Sequence, residues 1–488
     1  MIKTNYGQAG RYIDLFAPAI IGMLLFVYIV IRAIVIPVTH DEVQTCLYFS
    51  QMPVWDIIAY RDPIPNNHIL NTLLVKLFVS ISGWHELSIR LPNILGFMVY
   101  FGFAMGVIRM ISKHFLVTLF CMAALFFNPY FLEFFSLARG YALSTAFMMA
   151  SVFYLLRFMK DPSPGRLGAA TASGMLATYT NFTALNYFVA FIMIAGVLIT
   201  SSRQAKARKR QQVAVLVAGT GLLALATWLP VSRMVATDQF IYWGQSGFYE
   251  DTIKSMWVAF ALHPDHFHIP YYILTIAALL VIMIPLLFIL PAWIRSRPVT
   301  RKEYQLLYLL PLATVAVNVL QHYLVQTPFL TGRTALLFFP LYGLACAGAA
   351  QISWDRFRRA AAGVMIVFIA VTGWHLAASA NLKRSFEWWF DENTKDVISY
   401  LEQQQPENPA PSVTLNAHWW FTPSLEYYRV TTPLPWLQLA PYHKEPQPDS
   451  PYLFYYATDY DLPVLGKNYE TVKSFGWNSR FLMKRRQP

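Results

Sequence analysis

Charge is scarce in this chain: 13% of its 488 residues are Asp, Glu, Lys or Arg, whereas soluble domains carry about 25%. That shortfall, with 56% hydrophobic residues and a mean hydropathy of +0.40, excludes an ordinary soluble protein and points to a polytopic membrane protein. Acidic residues are the scarcer class, 26 against 38 basic, so the net charge is +12. The basic residues sit in short clusters between apolar runs, which is the pattern of cytoplasmic loops and not of a nucleic-acid surface. Cysteine is nearly absent. Cys46, Cys121 and Cys346 are far apart, with neither CxxC nor histidine-linked spacing, which excludes a disulfide framework and a zinc site. Internal repeats and low-complexity tracts are also lacking, and secondary transporters commonly show repeats. The first apolar run has no small-residue cleavage pattern after it and is too long for a signal-peptide core, so it is expected to remain as an anchor.

What the chain does have is long apolar runs. Spans are predicted at 14–37, 91–108, 115–131, 141–158, 166–180, 183–200, 213–231, 271–293, 304–325, 334–352 and 360–377, each near the length that a hydrocarbon core of about 30 Å requires. With the N-terminus inside, the inner loops collect the basic clusters Arg203–Arg210, Arg295–Lys302 and Arg356–Arg359, while the longer outer loops hold few. This asymmetry places the C-terminus outside. Residues 378–488 are proline-rich, aromatic and polar. A helix is expected over 391–404 and short strands over 412–417, 452–457, 470–475 and 480–484. The expected architecture is an all-α membrane protein of about eleven helices (residues 1–377) with a small C-terminal extracytoplasmic α/β domain (378–488).

The first outer loop, 39–90, concentrates the polar chemistry. It opens on Thr39-His40-Asp41-Glu42 and reaches Asn66-Asn67-His68 about 25 residues on. A carboxylate at an apolar boundary is costly without a partner or a task. The pair reads either as a solvated loop start or as a base at the membrane surface. Its apolar second half, 69–81, is too short to span and reads as an interfacial helix. Arg139 and Arg333 fall at outer helix ends, where a guanidinium can meet a phosphate or snorkel to the interface. His263, His266 and His268 read as a turn rather than a metal site. Trp55, Trp84, Trp243 and Trp257 read mostly as interfacial anchors.

These residues carry a resemblance. An inside-first helix followed by Asp41-Glu42 resembles the C-type glycosyltransferase superfamily. Asn66-Asn67-His68-Ile69-Leu70 is similar to the Asn-His-Pro-Leu segment of its bacterial branch related to protein O-mannosyltransferases and lipid A aminoarabinose transferase, with Ile69 in place of the proline. Ser88-Ile89-Arg90-Leu91-Pro92 and Ala138-Arg139-Gly140-Tyr141 resemble its "R-L-P" and "A-R-x-Y" segments. The resemblance implies an inverting transferase in a bacterial inner membrane, with its site and C-terminal domain outside. It implies a polyprenyl-phosphate sugar donor and a lipid, glycan or protein acceptor. Asp41 would be the general base. Glu42 would orient the acceptor, bind an ion, or pair with an arginine such as Arg61 or Arg139. His68, Asn67, Arg139 and Tyr141 would contact substrate, and Arg333 joins them by its position at an outer helix end alone. No cofactor or protein metal site is implied, with a divalent cation left open. A transporter or flippase of lipid-linked sugars is the alternative.

Overall fold

The computed structural model describes residues 8–112, 114–239, 244–262, 271–280, 283, 302–404, 412–476 and 479–486. Trp243, the histidines at 263, 266 and 268, and most of the span predicted at 271–293 lie outside these residues. Among the described residues seven helices are long and apolar enough to cross a membrane, or eight if one bent pair is counted as a span. The chain is an integral membrane protein.

The chain divides into two units. The first comprises Met1–Val30, Val54–Leu73 and Pro92–Ala380. Its inner helix is Gly140–Lys160, whose apolar window is 72% buried, against 17% for Lys206–Ala236. Small side chains let the inner helix approach Pro164–Thr180 closely. Ser144 Oγ donates to Ala177 O at 2.7 Å and Ser151 Oγ to Ala170 O at 2.8 Å. Such interhelical bonds are worth about 0.6 kcal/mol each in membranes. The run predicted at 115–131 is bent instead of straight. Phe115–Phe126 and Pro129–Ser136 meet at 64°, because Asn128 precedes a proline and takes an extended backbone. Its side chain then caps the second piece by accepting from Phe131 N at 2.9 Å. The runs at 334–352 and 360–377 fall on either side of a kink at Phe357, whose non-helical backbone separates two helices within Phe338–Ser379.

The second unit comprises Ile31–Pro53, Leu74–Leu91 and Asn381–Pro488. Its sheet has strands β1 (Val413–Ala417), β2 (Leu437–Leu439), β3 (Phe454–Thr458), β4 (Tyr469–Phe475) and β5 (Arg480–Arg485), in the order β2-β1-β3-β5-β4. β1 lies parallel to β2 and β3, while β5 lies antiparallel to β3 and β4. β3 is buried along its whole length, as a central strand covered on both faces should be. Tyr455, Ala457, Leu465, Tyr469 and Met483 form its core. The helix expected near 391–404 is Thr394–Gln404, entered through a tight turn at Trp389–Asn393. The helix Thr422–Thr431 and strand β2 were not expected from sequence.

Candidate functional site

Asp41 and Glu42 lie in the second unit, on the short helix His40–Val43. Helix Gln8–Val35 stops just before Pro37, which leaves carbonyl groups without helical partners. Arg90 takes them: Nη1 donates to Ala33 O at 2.9 Å and Ile36 O at 2.8 Å, and Nη2 to Pro37 O at 2.9 Å. The same guanidinium forks onto Glu42, with Nε 2.8 Å from Oε1 and Nη2 2.7 Å from Oε2. Both side chains are fully buried. Glu42 therefore has a structural partner, Arg90, and it also accepts from Thr39 N at 2.9 Å. Arg61 pairs with Asp56 at 3.1 Å.

The C-terminal segment fixes the rest of the turn. Val38 N donates to Tyr428 Oη at 3.0 Å, and Val38 O accepts from Ser424 Oγ at 2.5 Å. His40 N donates to Asp391 Oδ2 at 2.7 Å, and the His40 ring lies 3.1 Å from Trp420 O. Asp41, 7% exposed, sits between these ties. Its position is set by neighbours on both sides.

Asp391 is almost wholly buried. Desolvation, followed by repulsion from Glu42 and Asp41, raises its pKa well above the ordinary 3.8, against a lowering by the His40 N–H. The folded chain thus holds this proton more tightly than the unfolded one. The associated stability is complete below the ordinary value and is lost as pH rises through the folded value. Asp391→Asn keeps an acceptor for His40 N and cannot ionise. It is expected to melt higher than wild type at neutral pH and to converge with it near pH 4, as scanning fluorimetry across pH will record.

The first unit contains a cavity of about 470 Å³. His68, Asn67 and Tyr141 line it from one side and Arg333 from another, with Asn181, Asn186 and Asn318 between them. One wall depends on Gly140: a Cβ there would stand 2.7 Å from Thr180 O and 2.8 Å from His68 Cβ. Only glycine allows this approach. Another wall is fixed by Phe329, which stacks on His322 at 3.9 Å and donates its N–H to Gly244 O at 2.8 Å.

Arg139 is completely enclosed and donates from Nη2 to Asn66 Oδ1 at 2.8 Å. Asn67 donates to Ile57 O and accepts from Thr72 Oγ1, both at 3.1 Å, so its amide shapes the loop. His68 rests edge-on against Tyr141, ring centres 4.8 Å apart. Burial, then Arg139 and Arg333, pulls its pKa well below 6.5, which leaves the imidazole neutral. Among the described residues His68 Nε2, Asn181 Nδ2 and Asn318 Oδ1 are buried with no hydrogen-bond partner. Asn186 and Asn318 meet at 3.4 Å.

The structure thus gathers His68, Asn67, Tyr141 and Arg333 around one cavity, with Arg139 behind it; Asp41 and Glu42 belong to the other unit. Sequence reasoning missed Asn181, Asn186 and Asn318. The available signal was an amide inside the apolar runs 183–200 and 304–325, since polar groups in spans mark ligand paths. It also missed Asp391, and it gave no role to Arg90. Trp257 donates to Thr275 Oγ1 at 2.8 Å, while Trp55 is largely exposed. No group of three or more His, Cys, Asp or Glu among the described residues is placed to hold a metal ion.

No family model and no curated protein matches the chain. Among solved structures, ArnT from Cupriavidus metallidurans in the apo state aligns over 98% of this chain and 98% of its own, with a TM-score of 0.56 and 13% identity. ArnT from the same organism bound to undecaprenyl phosphate gives 0.55 and 12%, again over 98% of each chain. An oligosaccharyltransferase from Archaeoglobus fulgidus tethered to an acceptor peptide gives 0.46 and 9%, over 98% of this chain and 75% of its own. The first two alignments establish that this chain has the fold of ArnT from Cupriavidus metallidurans.

Proposed function

We propose that this chain is an inverting glycosyltransferase that moves a sugar from a polyprenyl-phosphate carrier to an acceptor hydroxyl at the outer face of a bacterial inner membrane. The cavity of the first unit carries the reading. Each buried polar atom without a partner costs about 1–3 kcal/mol, and His68 Nε2, Asn181 Nδ2 and Asn318 Oδ1 all line this space. Sugar hydroxyls and phosphate oxygens are the groups that would satisfy them. The fold likeness to a protein captured with undecaprenyl phosphate supports a lipid phosphate as the carrier.

In the proposed reaction the acceptor oxygen forms a bond to the anomeric carbon while the bond from that carbon to the phosphate oxygen breaks. The acceptor proton passes to Asp41, and polyprenyl phosphate leaves with its negative charge. Arg333 meets that charge, and neutral His68 offers one N–H without adding a second cation. Arg139 acts through others: it holds Asn66 and helps keep His68 neutral. Asp41 takes its role from its place in the Asp-Glu motif and from the clamped turn around it. No cofactor enters the scheme.

The test is release of label from radiolabelled polyprenyl-phosphate sugars by purified protein, to an acceptor or to water. Arg333→Gln is expected to lower turnover about 10²-fold, the usual loss when one donor to a developing anion is removed. Wild-type protein that releases label from no donor, yet moves the carrier across liposomes, would overturn the reading in favour of transport.

A further inference from the structure

We propose that Trp389, Phe390, Trp419 and Trp420 form a platform that receives a pyranose ring of a glycan acceptor; this rests on the transferase reading and names the class of its acceptor. The platform stands where an α/β sheet offers a site. β1 runs parallel to both its neighbours, and ligands of such sheets bind beyond the carboxyl ends of the strands. The chain leaving β1 at Ala417 is His418-Trp419-Trp420-Phe421. His418 N donates to Tyr456 O at 2.9 Å and Phe421 N returns to His418 O at 3.0 Å, so this turn is fixed to the sheet.

The other two rings come from the turn at Trp389–Asn393, which Arg480 fastens. Its Nη1 donates to Trp389 O at 2.6 Å, its Nη2 pairs with Glu392 at 3.0 Å, and its guanidinium lies 5.4 Å from the Trp389 ring centre. Phe390 stacks on Trp420 at 5.2 Å and 29°, while Trp419 meets Trp420 at 5.8 Å and 68°. Trp389 is 37% exposed and the other three are half-buried. His40 stands edge-on to Trp419 at 6.0 Å and to Phe390 at 6.2 Å. The platform is therefore one residue from Asp41.

The company these rings keep selects the occupant. An aromatic belt facing lipid has no reason to surround ionisable groups, yet His40 and His418 stand among these rings, the latter 5.0 Å from Trp420. A pyranose matches that mixture: its C–H face lies on aromatic faces while its rim of hydroxyls reaches imidazole. Bound this way, a hydroxyl of the ring is presented next to the proposed base.

The experiment uses the full chain in detergent. Tryptophan fluorescence is titrated with chitobiose, cellobiose and maltose, with acyclic sorbitol as control. Saturable quenching by at least one disaccharide and none by sorbitol is expected, weakened about five- to tenfold by Trp419→Ala or Trp420→Ala, with Trp420→Phe largely restored. Trp374→Ala, at an exposed tryptophan of the first unit, should change nothing. In turnover, KM for a glycan acceptor should rise by the same factor while release of donor label to water stays at the wild-type rate. Normal release with unaltered KM in both alanine variants would overturn the platform alone, as would loss of membrane retention without a change in KM. Failure of every disaccharide to quench the wild type would overturn it too. Quenching that the variants abolish, in a protein that turns over no donor, would keep the platform and remove the transferase reading.

Discussion

Asp41→Asn is expected to lower sugar transfer by about 10²–10⁴-fold, the usual contribution of a positioned general base, while melting temperature and donor binding stay at wild-type values. The amide has the shape of the carboxylate and cannot take the acceptor's proton. The fold should tolerate the change because the turn is tied through Val38, Thr39, His40 and Glu42. Label release measured beside the wild type decides the matter. Undiminished turnover would remove Asp41 as the base and leave the reaction without the proton acceptor the motif implies. A variant that fails to fold would show that the carboxylate holds the turn, so the melting curve must accompany the rate.

The second large effect is on stability. Arg90→Ala is expected to cost about 3–5 kcal/mol, because removing one partner of a buried pair leaves the other as an uncompensated charge. It would also leave the carbonyls of Ala33, Ile36 and Pro37 without the guanidinium that caps them. Arg90→Lys should rescue little: an ammonium has three donors around a point, whereas the five contacts here require a planar fork. Glu42→Met with Arg90→Met should be milder than Arg90→Ala, since the charges leave together. Thermal melting in detergent, read for all four proteins, separates these cases. An Arg90→Ala protein that melts within a degree of wild type would contradict the capping role.

The membrane portion was legible because an apolar run announces itself locally. Breaks inside the runs were less so. Pro129 signals the 64° bend, but no proline or glycine marks the kink at Phe357 that separates two helices. Four of the five strands fell close to their expected positions, being bounded by prolines and turns. β2 is only three residues long and gains its identity from β1, so no local pattern marks it. The sequence singled out residues that line the cavity where a motif carries them, as with His68 and Tyr141, or where a helix end does, as with Arg333. It was unreadable where partners are remote: Glu42 and Arg90 are 48 residues apart and Asn186 and Asn318 are 132 apart. Residues 378–488 had no visible motif, yet Asp391, Ser424 and Tyr428 hold the turn that carries Asp41, and only the fold could show that.

The guanidinium at Arg90 also sets an order of events during synthesis. Its acceptors at Ala33, Ile36 and Pro37 are made 57, 54 and 53 residues earlier, roughly 3–10 s at ordinary translation rates. Through that interval the exit of the first span has no cap and the Asp41 turn has no counter-charge for Glu42. The loop that bears the proposed base is thus completed only when the second span begins to emerge. Its last ties, from Asp391, Ser424 and Tyr428, arrive some 300 residues later still. A nascent chain therefore carries its acidic turn without these ties until residues 391, 424 and 428 have been made.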